Sequence, residues 1–212
     1  MFIVIEALDA GGSQTQTDLL VNRLEDHDHP ILQLHFPQED RATGRLIYEK
    51  FLFKKNTWPF SRREQALLYV QDFYSRVEDI RATLAQPDHV VVSDRFCTST
   101  MAYQTIGTAG AERKKLLRWL EWLCFEDDPA LPRPDLVIFI DTPVTVSLRR
   151  LSGKKKDFFE NRQKLNAIRR SYLQLARDQA WHIVAAVDEA GKERRREAIH
   201  EEIWQAVLAQ LA

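Results

Sequence analysis

Phe-Ile-Val-Ile-Glu-Ala-Leu-Asp-Ala-Gly-Gly-Ser-Gln-Thr-Gln is the sequence of residues 2–16, a short apolar run followed by a turn of small residues. The run, residues 2–8, is typical of a strand that is buried on both faces. After the turn, apolar residues return at helical spacing, as Leu19, Leu20, Val21 and Leu24. The stretch therefore predicts a strand, a tight turn and a helix, with backbone N–H groups and the positive end of the helix dipole converging at the turn.

The turn departs from the usual phosphate-binding motif, G-x-x-x-x-G-K-[ST]. When the motif is laid on residues 7–14, it finds Gly12, but Ala7 replaces the first glycine. Ser13 stands where a lysine normally reaches the phosphates, and Gln14 stands where a Ser or Thr normally binds magnesium. The stretch alone is therefore compatible with a P-loop, which is a backbone cradle for polyphosphate, and with an ordinary strand-turn-helix.

Length and composition argue against several classes of protein. The 212 residues, 44% of them hydrophobic, suffice for one large domain with a continuous core. The 30 basic and 31 acidic residues give no general attraction to nucleic acid or to an acidic membrane. The start lacks the basic segment of a signal peptide, and no apolar run reaches the roughly 18 residues of a membrane span. Cys97 and Cys124 form neither a disulfide framework nor a metal spacing. We expect a cytoplasmic protein without nucleic-acid or membrane partners.

A second strand delivers charged residues to the same edge of the predicted sheet. Residues 90–93, Val-Val-Val-Ser, come directly before Asp94 and Arg95. In open α/β sheets the carboxyl ends of the parallel strands form the ligand-binding edge, so these two residues should lie near the glycine turn. The alternative interpretation is a purely structural ion pair.

The remaining segments alternate between short strands and amphipathic helices, which predicts an α/β sheet with helices on both faces. Ser61 and Glu64 have the spacing of a capping box and predict a helix over residues 61–86. On that helix, Tyr69 and Phe73 lie four residues apart, so they are either core residues or one side of a pocket for a planar base. Other strands are expected at residues 31–35, 136–140 and 181–187, and other helices at residues 43–53, 111–124, from 142 onward, and 193–211.

Several short motifs keep their order and spacing along most of the chain. They are residues 2–6 with Asp9 and Gly12, Phe36-Pro37, Asp94-Arg95-Phe96 with Ser99, Ala102-Tyr103-Gln104, residues 134–141, Arg150, residues 157–160, and Tyr172-Leu173 with Leu175 and Ala176. Over about residues 1–188 these motifs together resemble the thymidylate kinase family. The resemblance implies an α/β, three-layer P-loop nucleoside monophosphate kinase fold with a mainly parallel sheet. It also implies a single domain over residues 1–212, with a lid loop at about residues 149–160.

The resemblance further implies a reaction and its participants. A thymidylate kinase transfers the γ-phosphoryl group of ATP to dTMP in the presence of Mg²⁺ and yields dTDP and ADP. Such a reaction requires positioning and neutralisation of charge more than covalent chemistry from the protein. The expected partners are therefore small-molecule nucleotides, and the family leads us to expect a homodimer.

The resemblance also assigns roles to individual residues. Asp9 would orient the acceptor or the metal, Asp94 would hold magnesium, and Arg95 would clamp the acceptor phosphate and the transferred group. Lys154 and Lys155 would be catalytic cations of the lid. The residues expected to contact ATP are Leu8, Ala10, Gly11, Gly12, Ser13, Gln14, Thr15, Arg149 and Arg150. The residues expected to contact the acceptor are Phe36, Tyr69, Phe73, Ser99, Thr100, Tyr103 and Gln104. Tyr69 would stack on the pyrimidine, and Tyr103 would crowd the 2′ position of the sugar.

Departures from the family pattern cluster in the predicted site. Besides Ser13 and Gln14, Glu39 stands near an expected arginine, and Phe73 replaces an arginine that meets the base and the acceptor phosphate. The candidates for compensation are Arg41, Arg45, Arg76 and the lid lysines. Three interpretations stay open: an active kinase with substituted cations, a non-catalytic homologue that binds nucleotide, and a kinase for a different nucleoside monophosphate.

Overall fold

The computed structural model describes residues 1–53, 60–127, 129–152 and 161–211. Within these ranges the strands are β1 (Phe2–Ala7), β2 (Ile31–His35), β3 (Val90–Asp94), β4 (Leu136–Asp141) and β5 (His182–Ala185). They form one sheet in the order β2-β3-β1-β4-β5, and each pair of neighbouring strands is parallel. The predicted parallel sheet is therefore confirmed.

Helices flank this sheet over much of the described chain. They are α1 (Ser13–Glu25), α2 (Ala42–Leu46), a π-helix (Ile47–Leu52), α3 (Arg62–Tyr74), α4 (Val77–Leu84), α5 (Cys97–Gln104), α6 (Gly110–Phe125), α7 (Val144–Arg150), α8 (Arg162–Asp178) and α9 (Arg196–Leu211). Among the residues that the structure describes, no helix has the length and apolar character needed to cross a membrane.

The helices pack on both faces of the sheet, which confirms the three-layer α/β architecture. Every residue of β1 is buried, because this strand lies in the centre of the sheet. Its side chains Ile3 and Ile5 pack with α1 and α9 on one face. Phe2 and Val4 point to the opposite face and pack with α3 and α4. The apolar run forms a central strand because both of its faces enter the core.

The prediction of one helix over residues 61–86 is confirmed at its start but wrong in its length, because the segment divides into α3 and α4. Ser61 Oγ accepts from the N–H of Glu64 at 3.3 Å, and the N–H of Ser61 donates to Glu64 Oε2 at 2.8 Å. The chain leaves helical geometry at Arg76, with φ −119° and ψ 3°. Just before this break, Ser75 Oγ donates to the carbonyl of Asp72 at 2.6 Å, a local bond that competes with continuation of the helix.

Other boundaries also differ from the sequence-based expectation. The segment expected as one helix over residues 43–53 divides into α2 and the π-helix. The C-terminal helix begins at Arg196 rather than at residue 193, because the N–H of Arg194 donates to the carbonyl of Ala186 at 3.0 Å and prolongs the pairing beside β5. Neither α5 nor α8 was predicted as a helix.

Candidate active site

The glycine turn joins β1 to α1 at the carboxyl edge of the sheet, as the sequence predicts. Ala10 and Gly12 have positive φ values of 55° and 106°, and α1 begins at Ser13 without a side-chain cap. The first turn of a helix leaves N–H groups without intrahelical partners, so this turn presents backbone donors to an anion. The loop carries no cation of its own. Ser13 is only 7% exposed, and the Gln14 amide donates to Asp18 Oδ1 at 2.9 Å.

Replacement of Gly11 by alanine is expected to damage this turn more than replacement of Gly12. A Cβ at Gly11 would lie 2.6 Å from the Leu8 carbonyl oxygen and 2.7 Å from Ala7 Cβ. A Cβ at Gly12 would meet nothing closer than 3.8 Å, so its cost arises from the positive φ alone. We expect Gly11→Ala to lower the free energy of unfolding by about 2–3 kcal/mol and Gly12→Ala by about 1 kcal/mol. Urea denaturation measures both losses, and a larger loss for Gly12→Ala would contradict this order.

Arg95 connects the carboxyl ends of β1 and β3. Its backbone adopts a left-handed φ of 68°, and its N–H donates to the carbonyl of Ile5 at 3.0 Å. Its guanidinium donates to Asp9 Oδ1 at 2.7 Å and to the Tyr103 hydroxyl at 3.1 Å. Burial alone lowers the pKa of Arg95, but Tyr103 and Asp9 hold that pKa well above its ordinary value. The site therefore contains a permanently charged guanidinium that its neighbours hold in one orientation.

Two aspartates near this guanidinium, Asp9 and Asp94, offer carboxylate oxygens of the kind that magnesium binds. Asp94 Oδ2 lies 3.0 Å from His35 Nδ1, whereas Asp94 Oδ1 is buried and has no hydrogen-bond partner in the part of the chain that the structure describes. Asp9 Oδ2 is unpartnered in the same sense. Mg²⁺ takes oxygen ligands and is usually held by one or two carboxylates together with water and substrate phosphates. Asp9 and Asp94 are therefore suitable residues for the metal that the family resemblance implies.

Glu6 supports the site from within β1, and the sequence analysis did not assign it a role. Its fully buried carboxylate accepts from Thr98 Oγ1 at 2.5 Å, from Ser99 Oγ at 2.5 Å and from the Tyr172 hydroxyl at 2.8 Å. Burial raises the pKa of Glu6, and Arg95 and the three hydroxyls oppose part of that rise. The sequence signal that could have identified Glu6 was a single acid within an apolar strand, because a buried carboxyl group requires hydrogen-bond partners.

The residues expected to contact the acceptor line one small pocket of about 70 Å³: Phe36, Tyr69, Phe73, Ser99, Thr100, Tyr103 and Gln104. Two of their polar atoms, Thr100 Oγ1 and Gln104 Nε2, are buried without hydrogen-bond partners among the described residues. These two atoms are available to a bound ligand. The hydroxyl of Ser99 differs from them, because Glu6 and Tyr172 already engage it.

Phe73 makes part of this pocket apolar. Its ring centroid lies 4.9 Å from that of Phe36, in an edge-on contact, and 5.1 Å from that of Phe96. Among the described residues that line the pocket, Arg95 is the one cation. The position that holds an arginine in the family therefore contributes aromatic packing here.

The three arginines that were candidates to compensate for the arginine replaced by Phe73 contact groups outside the pocket. Arg76 Nε lies 3.0 Å from Asp79 Oδ2, and Arg41 Nη2 lies 3.9 Å from the same oxygen. Arg45 donates to the carbonyl of Asp40 at 3.0 Å. None of these three described residues lines the pocket. In this structure they do not supply charge to the acceptor side.

A larger cleft of about 840 Å³ extends from the glycine turn to the acceptor pocket. Its lining includes residues 8–15 and Arg150, which were expected to contact ATP. Arg149 does not line the cleft and instead forms an ion pair with Glu193. Lys154 and Lys155 lie outside the described residues. Asp9 and Arg95 line both the cleft and the pocket, so the two cavities adjoin at these side chains.

Known proteins that are similar to this chain include several thymidylate kinases. A model of the thymidylate kinase family matches residues 5–203. The thymidylate kinase of Fervidobacterium nodosum is 31% identical over 214 aligned residues, which cover 100% of both sequences. The probable thymidylate kinase of Pyrococcus horikoshii is 33% identical over 82% of each. A solved structure of the thymidylate kinase from Candida albicans matches with a TM-score of 0.75 at 22% identity, over 99% of this chain and 91% of that one.

Proposed function

The chain belongs to the thymidylate kinase family, and on that premise we propose that it transfers the γ-phosphoryl group of ATP to dTMP, yielding dTDP and ADP. The observation that carries the proposal is the meeting of the two cavities at Asp9 and Arg95. A polyphosphate on the glycine turn and an acceptor in the small pocket would face each other across these side chains. Direct transfer requires the two reactants to be held in this kind of proximity.

Each described part of the site has a role in this reaction. Backbone N–H groups at the start of α1 would bind the polyphosphate of ATP. Arg95, which Asp9 and Tyr103 hold in place, would neutralise charge on the group in transfer without reorganisation. Thr100 and Gln104 would contact the base through the polar atoms that lack other partners. When bound, Mg²⁺ would supply further neutralisation of the phosphate oxygens, and Asp94 and Asp9 would hold it.

A second candidate function is nucleotide binding with little or no catalysis. The observation in its favour is the absence of a cation on the glycine turn, where Ser13 replaces the usual lysine. A third candidate is a kinase for another nucleoside monophosphate, which the aromatic packing of Phe73 favours, because no described arginine replaces the lost contact to the base.

One assay separates these candidates. ADP release is measured with Mg-ATP and, in turn, dTMP, dUMP, dCMP, dAMP and dGMP, and binding of Mg-ATP is measured by calorimetry on the same preparation. We expect turnover with dTMP as the preferred acceptor. Binding of ATP without turnover of any acceptor would support the non-catalytic homologue. Faster turnover of another monophosphate would support the third candidate.

We also propose that the protein is a homodimer in the cytoplasm. The exposed apolar side chains Leu67 of α3 and Trp122 of α6 support the dimer, because exposed apolar surface on helices can be buried between two copies of the chain. The proposed substrates are soluble nucleotides, which supports the location. Light scattering coupled to size-exclusion chromatography tests the dimer, and a monomer mass at assay concentration would contradict it.

A further inference from the structure

The glycine turn lacks the lysine that normally approaches the phosphates, so any cation that neutralises a polyphosphate there must come from another segment of the chain. The described cations that line the cleft are Arg95, Arg150, Arg194 and Arg196. Arg95 is held by Asp9 and Tyr103 at the acceptor end of the cleft. Arg194 donates to Glu202 at 2.7 Å and to the carbonyl of Ala185 at 2.8 Å. Arg196 is 70% exposed and pairs with its neighbour Glu197.

Arg150 differs from the other three because it contacts the turn itself. Its Nη1 donates to the carbonyl of Ala10 at 3.1 Å. The same Nη1 lies 3.8 Å from the position that a Cβ on Gly12 would occupy. The guanidinium therefore lies against the loop one residue from Ser13, and Arg150 itself is the last residue of α7.

The charge of Arg150 is only partly compensated. Its Nη2 lies 2.6 Å from Glu193 Oε2, and the other oxygen of this carboxylate contacts Arg149. Two guanidinium groups thus share one carboxylate within the described residues, which leaves an excess of one positive charge. Burial lowers the pKa of Arg150, and the neighbouring Arg149 lowers it further. A bound anion would oppose both effects, because a nearby negative charge raises the pKa of an arginine.

We propose that Arg150 supplies to the polyphosphate of ATP the positive charge that the usual motif takes from a lysine at position 13. Glu193 holds the guanidinium of Arg150 against the loop. Because Arg149 shares the same carboxylate, this ion pair does not cancel the positive charge of Arg150. The inference rests on the proposed function in one respect, namely that ATP is the donor nucleotide. It does not depend on the identity of the acceptor.

A double-mutant cycle tests the proposal. The proteins are the wild type, Ser13→Lys, Arg150→Gln and the combination of both substitutions. Glutamine keeps a hydrogen-bond donor for the carbonyl of Ala10 but removes the charge. Calorimetry measures the affinity of each protein for Mg-ATP and for AMP without an acceptor, so the cycle remains informative if dTMP is not the substrate.

We expect Arg150→Gln to weaken Mg-ATP binding by about 10–100-fold, because a charged hydrogen-bonding contact to phosphate is lost. Binding of AMP, which lacks the β- and γ-phosphates, should change by less than about threefold. In the Ser13→Lys background the same substitution should cost less than about threefold, because the lysine restores the charge. Arg150→Lys should keep most of the wild-type affinity.

The matched control is Arg23→Ala. Arg23 also pairs with a glutamate, Glu201, and its side chain is 30% exposed against 35% for Arg150, but it does not line the cleft. We expect Arg23→Ala to bind Mg-ATP like the wild type. Equal losses for Arg150→Gln with and without Ser13→Lys would overturn the proposal. Equal losses of ATP and AMP affinity would also overturn it and would assign Arg150 to the nucleoside instead. Absence of ATP binding in the wild type would contradict the proposed function itself.

Discussion

Replacement of Arg95 by alanine is expected to lower kcat with dTMP by about 10³-fold or more, the effect of removing an arginine that stabilises charge during phosphoryl transfer. Arg95 is the one cation among the described residues of the acceptor pocket, and it also lines the ATP cleft. No other described side chain that lines the acceptor pocket carries a positive charge that could replace it. Steady-state kinetics with Mg-ATP and dTMP measure the loss.

Arg76 provides a closely matched control for this experiment. The side chains of Arg76 and Arg95 are both 16% exposed, and both pair with an aspartate, at 3.0 Å and 2.7 Å. Because Arg76 lies outside the pocket, Arg76→Ala should leave kcat within about threefold of the wild type, whatever it does to stability. Similar losses of kcat in the two variants would show that the effect of Arg95→Ala reflects general damage to the fold.

Replacement of Glu6 by alanine is expected to lower the free energy of unfolding by about 3 kcal/mol or more, because it leaves buried hydrogen-bond donors unpaired and opens a cavity. The donors are the hydroxyls of Thr98, Ser99 and Tyr172. Glu6→Gln retains a carbonyl acceptor of similar shape and should cost less. Urea denaturation of the three proteins measures the difference, and equal losses for alanine and glutamine would contradict the proposed network.

The pH dependence of the same measurement tests the raised pKa of Glu6. Below the ordinary pKa of a glutamate both states are protonated, so the group contributes no pH dependence. As the pH rises from there to the folded-state pKa, the unfolded chain loses a proton that the folded chain keeps, and stability falls. The stability of the wild type relative to Glu6→Gln should therefore decrease over this interval. A constant or increasing difference would contradict the raised pKa.

The strands and the glycine turn could be predicted because their patterns depend on local sequence. The run from Phe2 is buried on both faces and has a continuous apolar pattern, and the capping box at Ser61 is a contact between residues three positions apart. The sequence of α5, Cys-Thr-Ser-Thr-Met-Ala-Tyr-Gln, begins with small and β-branched residues that have modest helix propensity. Packing of α5 against α3, α6 and α8 overrides this propensity, and a local pattern does not contain that information.

The acceptor residues were expected from the resemblance to the thymidylate kinase family. The structure gathers them because α3 and α5 pack together at the carboxyl edge of the sheet. The orientation of long side chains was not predictable. Arg76 turns to Asp79 after the break between α3 and α4, whereas Arg150 folds back onto Ala10. Such choices depend on ion pairs and backbone breaks that the sequence pattern does not reveal.

The network around Glu6 has a consequence for synthesis of the protein. Glu6 and Tyr172 are 166 positions apart, and Thr98 and Ser99 lie between them. A nascent chain released up to α7 already contains the residues of β1, β3 and α5, but it lacks the Tyr172 partner of the Glu6 carboxylate. The hydrogen-bond network of Glu6 is complete only when α8, which carries Tyr172, has emerged from the ribosome. Premature termination anywhere before Tyr172 therefore yields a chain without the finished site, even though most of the proposed nucleotide contacts have already been translated.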